Sequence, residues 1–161
     1  SSWGSGCPLR IVPGGPPEEG ETVVDLGCGA GHDVILASRL VGPNGRVVGV
    51  DLTEEMIDAA RRNVRSILVA DNNDAVGGQN IKLFQAAFDD GDEVERLLEE
   101  GTADVVISNG VFNLCDDKRA AFQTAFWLLK PGGRFIFSDL CRVKQNPGAE
   151  ISCSLGDTWS S

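Results

Sequence analysis

One run of nine residues, Val23-Val-Asp-Leu-Gly-Cys-Gly-Ala-Gly31, constrains this chain more than any other. Its first half is apolar but for one aspartate and has the length of a buried strand. Its second half alternates glycine with small residues, placing Gly27, Gly29 and Gly31 as G-x-G-x-G. Residues 33–41 follow, with Val34, Ile35, Ala37, Leu40 and Val41 spaced for a helix packed on a sheet. Glycine at such a junction lets the chain turn tightly and lets a ligand reach the backbone. The amino end of the helix offers N–H groups to an anion. A turn that only tightened the junction would leave Asp51 unexplained. Asp51 closes the next apolar run, about twenty residues on, where a carboxylate can accept from two vicinal ribose hydroxyls.

The alternation continues along the chain. Strands are predicted at Thr22–Leu26, Arg46–Asp51, Ile81–Phe84, Ala103–Ser108 and Arg134–Ser138. Thr53 can cap a second helix whose apolar face is Ile57, Ala60, Val64 and Ile67. A short helix is predicted over Glu93–Glu100, with Val94, Leu97 and Leu98 on one side. Asp117 can cap a longer one with Phe122, Ala125, Phe126 and Leu129 inward. Pro131-Gly132-Gly133 should stop that helix. Residues 71–80 read as a loop, residues 1–20 as an irregular lead-in and residues 141–161 as an irregular tail, leaving 21–140 as the domain. All-apolar strands alternating with helices predict an α/β, Rossmann-like, doubly wound sheet of parallel strands. Ligands of such sheets sit beyond the carboxyl ends of the strands, where the strand order reverses.

Composition narrows the function. The net charge is -10, which argues against nucleic acid as a partner. No apolar run is long enough to span a membrane, and no signal peptide is visible. The single histidine, His32, cannot build a histidine metal cluster, so no metal site is expected. Cys7, Cys28, Cys115, Cys141 and Cys153 are odd in number and lack C-x-x-C spacing, which fits reduced thiols and a cytoplasmic location. The one methionine is Met56, so a chain starting at Ser1 reads as a processed or shortened one.

The dinucleotide fingerprint G-x-G-x-x-G would need glycine where His32 stands, which counts against a nicotinamide cofactor. Val-Asp-Leu-Gly-Cys-Gly-Ala-Gly resembles motif I of the class I S-adenosylmethionine-dependent methyltransferases. Leu129-Lys-Pro-Gly-Gly133 is similar to a second signature of that superfamily. Leu40-Val-Gly-Pro-Asn-Gly-Arg-Val-Val-Gly-Val-Asp-Leu-Thr-Glu-Glu-Met56, Asp104-Val-Val-Ile-Ser-Asn-Gly-Val-Phe-Asn-Leu114 and Ser138-Asp139 narrow the resemblance to the arsenite methyltransferase family. The resemblance implies S-adenosylmethionine as cofactor and S-adenosylhomocysteine as product. It implies that Asp25 and the backbone of Gly27, Cys28, Gly29 and Gly31 hold the methionine part and that Asp51 holds the ribose. Leu52, Thr53 and Met56 would line the adenine, with Leu52 and Met56 alternatively simple core. Phe88 and Asp89 match a pair that meets the adenine ring and its amino group. Asn109, Gly110 and Val111 match the segment beneath the sulfonium.

The chain departs from that family in its thiols. As(III) is soft and binds sulfur. Gly4-Ser5-Gly6 and Ser108-Asn109-Gly110 stand where the family carries cysteine, with Cys7 and Cys115 displaced along the chain. Cys153 is a candidate counterpart of a third. Either the displaced cysteines substitute or the acceptor is not arsenic, and the second reading is preferred. The superfamily's sheet has seven strands, so the C-terminal strands and much of the acceptor half are expected to be missing. The fifth strand would then be an edge, open to a second copy in a homodimer or to masking by the tail. Methyl transfer is an in-line displacement that rests on proximity and orientation, so no catalytic residue is assigned. The expected function is methyl transfer to a small-molecule or metalloid acceptor. The alternative is a shortened or degenerate cofactor-binding module without activity of its own.

Overall fold

The computed structural model describes residues 15–70 and 80–140. Five parallel strands form one sheet in the order β3-β2-β1-β4-β5. They are β1 (Thr22–Leu26), β2 (Arg46–Asp51), β3 (Ile81–Gln85), β4 (Ala103–Asn109) and β5 (Leu129–Ser138). Four helices connect them: α1 (His32–Val41), α2 (Glu54–Ala70), α3 (Gly91–Glu95) and α4 (Lys118–Leu128).

Alternation along the strands sorts the core into two layers. Val23, Val47, Val105 and Ile107 pack with Val34, Ala37 and Val41 of α1 and Ile57 of α2. Their neighbours Val24, Val48, Val50 and Val106 pack with Val94 of α3 and Ala121, Ala125 and Leu128 of α4. The sheet is thus covered on both faces, which is why its inner strands β1, β2 and β4 are mostly apolar and buried. β1 lies between β2 and β4, so the connections on its two sides run to opposite faces. Their divergence leaves a crevice at the carboxyl ends of β1 and β4.

Three predicted elements are corrected. The third helix covers Gly91–Glu95 and not Glu93–Glu100. Asp90 stands at its amino end with Asp92 and Glu93 in the first turn, a favourable place for acids. Past its end the Leu97 and Leu98 amides both donate to the Val94 carbonyl, at 2.9 Å, so the chain closes in a turn there. In α4 the buried residues are Ala121, Thr124, Ala125 and Leu128, while Phe126 is 66% exposed. Small residues let the helix lie close on the sheet. Phe122 tilts aside onto Phe112, with ring centroids 4.7 Å apart. The fifth strand begins at Leu129 and not at Arg134. Leu129 pairs with Ala103, the register shifts, and Arg134 pairs with Val105. Pro131-Gly132-Gly133 therefore forms an irregularity inside the strand as well as ending the helix. Lys130 fastens it by donating to both oxygens of Asp104 at 2.7 Å.

Asp117 caps α4 as expected, accepting from the Ala120 amide at 2.9 Å. Among the described residues β5 pairs with β4 alone, and Phe137 on it is 48% exposed. At the opposite end of the sheet the Arg134 guanidinium donates to both Glu21 oxygens and to the Pro16 carbonyl, each at 2.8 Å. No described helix is long and apolar enough to cross a membrane. Residues 71–79 of the loop expected over 71–80 and the tail expected over 141–161 lie outside the described residues, as do Cys7, Cys141 and Cys153.

Candidate functional site

The carboxyl end of β1 runs into the glycine loop. Gly27, Gly29 and Gly31 all have positive φ, at 78°, 51° and 81°. Two of them serve different ends. A Cβ on Gly27 would lie 2.5 Å from both Val111 methyls, so this glycine lets the segment after β4 close over the loop. A Cβ on Gly29 would meet nothing within 4 Å, so this glycine leaves the backbone open to an approaching ligand.

The loop spends most of its own amides internally. Those of Gly27 and Cys28 donate to the Val50 carbonyl, that of Gly29 to Asp51 and that of Gly31 to the Cys28 carbonyl. The start of α1 has no side-chain cap, so this corner suits a ligand's carboxylate.

Three aspartates surround this corner and are treated differently. Asp51 accepts from the Gly29 amide at 2.8 Å on one oxygen. On the other it accepts from the Thr53 amide at 3.1 Å and the Thr53 hydroxyl at 3.2 Å. These bonds leave one carboxylate oxygen lightly used, so gripping two ribose hydroxyls requires the Thr53 hydroxyl to turn away. Asp33, in the first turn of α1, accepts from the Asn109 side chain at 3.0 Å. That bond ties the end of β4 to the start of α1, although the two residues are far apart in sequence. Asp25 on β1 is 2% exposed; its backbone lies in the ladders with β2 and β4, and its carboxyl accepts no hydrogen bond from the described residues. Burial, then the charges of Asp33 and Asp51, hold its carboxyl well above the usual carboxylate range.

Leu52 and Met56 are 61% and 43% exposed. Neither is core, so both are available to line a ligand beside Thr53. Phe88 is buried, with its ring centroid 5.5 Å from that of Phe112. Asp89 accepts from the Asp116 amide at 3.0 Å and so pins the loop after β4. Gly110 donates to the Ser138 carbonyl at 2.7 Å, and Val111 covers Gly27. Asp25, the glycine loop, Asp51 and the 109–111 segment thus converge at one crevice. Phe88 lies in the layer beneath it.

A clamp between Asn113 and Asp139 has no local signal in the amino-acid pattern. Asp139 accepts from the Asn113 amide at 3.0 Å and its side chain at 2.8 Å, and that side chain also donates to the Leu140 carbonyl. It locks the end of β5 to the short 3-10 turn at Phe112–Leu114.

His32 is exposed. Cys28 and Cys115 are free, buried thiols, each 7% exposed. Burial pushes both thiols up, Cys115 to about 12 with help from Asp89. Neither is a ready thiolate at neutral pH. Among the described residues no group of three or more His, Cys, Asp or Glu could hold a metal ion.

The model of the methyltransferase domain family matches residues 17–159. The chain is 39% identical over 144 residues to the arsenite methyltransferase of Halobacterium salinarum, covering 85% of this chain and 33% of that one. It is 33% identical over 142 residues to the human arsenite methyltransferase, covering 84% and 34%. It is also 33% identical over 134 residues to phosphoethanolamine N-methyltransferase 1 of Arabidopsis thaliana, covering 83% and 24%. The X-ray structure of an arsenic(III) S-adenosylmethionine methyltransferase from Chlamydomonas reinhardtii superposes with a TM-score of 0.73. That pair is 34% identical, and the match covers 89% of this chain and 46% of that one. The chain therefore spans about a third of the length of the curated relatives it matches.

Proposed function

Because this chain belongs to the methyltransferase domain family, we propose that it is the cofactor-binding part of an S-adenosylmethionine-dependent methyltransferase acting on a small-molecule or metalloid acceptor. The observation that carries this reading is the Asp25 carboxyl, buried beneath a glycine loop and left without a hydrogen bond among the described residues. A buried carboxyl without a partner is costly, and the ammonium of an amino-acid cofactor is the partner it lacks. The open backbone at Gly29 and the Asp51 carboxylate at the end of β2 fit the rest of such a ligand.

Bound S-adenosylmethionine supplies an electrophilic methyl group on a sulfonium. In this reading Asp25 holds the ammonium and the first-turn amides of α1 hold the carboxylate. Asp51 accepts from the ribose. Leu52, Thr53 and Met56 flank the adenine, with Phe88 and Asp89 supporting that side from below. Asn109, Gly110 and Val111 floor the reacting end, and the Asp33–Asn109 and Asn113–Asp139 bonds keep that floor in place. The residues contribute position and exclusion of water; no proton need pass through a side chain. The same reading has a second copy or residues 141–161 cover the outer edge of β5, where Phe137 is half exposed.

A second reading, a binding module without activity of its own, is favoured by the buried state of Cys28 and Cys115, which offer a soft acceptor no thiolate. Calorimetric titration with S-adenosylhomocysteine, NADH as control, tests the cofactor on the wild type and on Asp51→Ala. Binding lost in the variant supports the proposal, and preference for NADH overturns it. Turnover of arsenite with added thiol then separates the enzyme from the inactive module.

A further inference from the structure

Asp25 sits in a one-signed neighbourhood. Asp25 is buried, and the charges that act on it are those of Asp33 on α1 and Asp51 at the end of β2, both acidic. β4 ends in the uncharged Ser108 and Asn109. The Cys28 thiol is held protonated chiefly by burial. Among the described residues no cation acts on Asp25. The other two carboxylates have donors of their own: three bonds reach Asp51, and Asn109 reaches Asp33. Only Asp25 faces two negative charges with nothing to offset its own.

A carboxyl so placed keeps its proton until a cation arrives. Resting on the cofactor reading above, we propose that Asp25 is a neutral carboxylic acid before the cofactor binds and gives up its proton when the cofactor's ammonium docks beside it, so that one proton leaves per cofactor bound. The balance is simple. The O–H bond of the acid breaks, its electron pair stays on the carboxylate, and the proton passes to buffer. The ammonium remains intact and forms the ion pair. Affinity must then rise with pH by up to ~tenfold per unit across the range where the unbound acid is protonated, and level off above it.

The test is calorimetric titration of S-adenosylhomocysteine at several pH values from acid to mildly alkaline, each in buffers of low and high ionisation enthalpy. The slope of observed enthalpy against buffer enthalpy counts protons. For the wild type the count should approach one released at the acid end of the series and fall as pH rises. Fewer are expected for Asp33→Asn, which removes a neighbouring charge while its amide oxygen still accepts from Asn109. A flat line with intact binding overturns the proposal and leaves the cofactor reading standing. No binding in any buffer overturns both. Infrared difference spectra supply a check that needs no variant to bind. The unbound wild type should show a protonated-carboxyl band that disappears on adding S-adenosylhomocysteine and is missing from Asp25→Asn throughout. A band that persists in the complex, or that Asp25→Asn retains, overturns the assignment.

Discussion

Replacing Gly27 and Gly29 by alanine, one at a time, separates the structural from the binding use of the glycine loop. Both residues have left-handed φ, so each alanine incurs about 1–2 kcal/mol from the backbone alone. At Gly27 the new Cβ also arrives 2.5 Å from Val111 Cγ1 and Cγ2 and 2.8 Å from its Cβ, so Val111 must move off the loop. Overpacking of that kind costs about 1–3 kcal/mol more. Gly27→Ala should therefore lose about 2–5 kcal/mol, a large part of the roughly 5–15 kcal/mol that holds a domain folded. Gly29→Ala meets nothing within 4 Å and should lose only the backbone part. Urea unfolding followed by far-ultraviolet circular dichroism should place the Gly27→Ala midpoint about 1 M below that of Gly29→Ala. Adding Val111→Ala to Gly27→Ala should recover part of the loss, since the valine methyls go but its Cβ stays. Binding should show the reverse order relative to stability: Gly29→Ala remains folded yet binds S-adenosylhomocysteine much more weakly. Equal midpoints, or a Gly29→Ala less stable than Gly27→Ala, would refute the placement of Val111 over the loop.

Three further outcomes follow from the titrating groups. Arg134→Ala removes the two-point contact with Glu21 and should cost about 1.5–3 kcal/mol at neutral pH. The Arg134 hydrogen bond holds Glu21 below its ordinary 4.5, so this stabilisation is complete above that value and disappears as pH falls through the folded one. Denaturant midpoints of wild type and variant should converge in acid, and a gap independent of pH contradicts the ion pair. Asp25 has the opposite sign. Its raised folded value means the native state binds more protons than the unfolded chain above 3.8, so its contribution to stability falls as pH rises through that window. Without cofactor, Asp25→Asn should melt higher than wild type at neutral pH and lose that slope; a lower melting temperature would show that the carboxyl is satisfied after all. Finally, Cys28 and Cys115 should react with iodoacetamide orders of magnitude more slowly in the native protein than in urea, and equal rates would contradict their burial.

The inner strands β1, β2 and β4 were legible because each is a mostly apolar run, and burial on both faces of a parallel sheet demands that pattern. Thr22–Leu26 and Arg46–Asp51 agree with prediction to the residue. The start of β5 was not legible, because Pro131-Gly132-Gly133 reads as a break, whereas the pairing of Leu129 with Ala103 and the contact of Lys130 with Asp104 keep that stretch beside β4. The face of α4 was misread because large apolar residues signal burial most strongly. The sheet instead accepts Ala121 and Ala125 and leaves Phe126 outside. At the site, the glycine spacing and Asp51 could be read locally. The Asp33–Asn109 and Asn113–Asp139 bonds could not, since each joins residues that only the finished sheet brings together.

The charge of the crevice bears on the choice of cofactor independently of the glycine spacing. Asp25, Asp33 and Asp51 stand around it, and among the described residues no lysine or arginine acts on the buried one. A dinucleotide would bring the two negative charges of its pyrophosphate to the same helix start. There it would meet like charges in a partly dry pocket, where repulsion is strong. A sulfonium amino acid brings two positive charges and one negative, and in the proposed site the negative one, its carboxylate, goes to the start of α1. The three acids are then complementary to the ligand. Two of them hold the loop and α1 in place through Gly29, Thr53 and Asn109, and in the proposed site the third meets the ammonium. The feature that makes the unbound domain costly, a buried acid without a donor, is the same one that selects for a cationic cofactor.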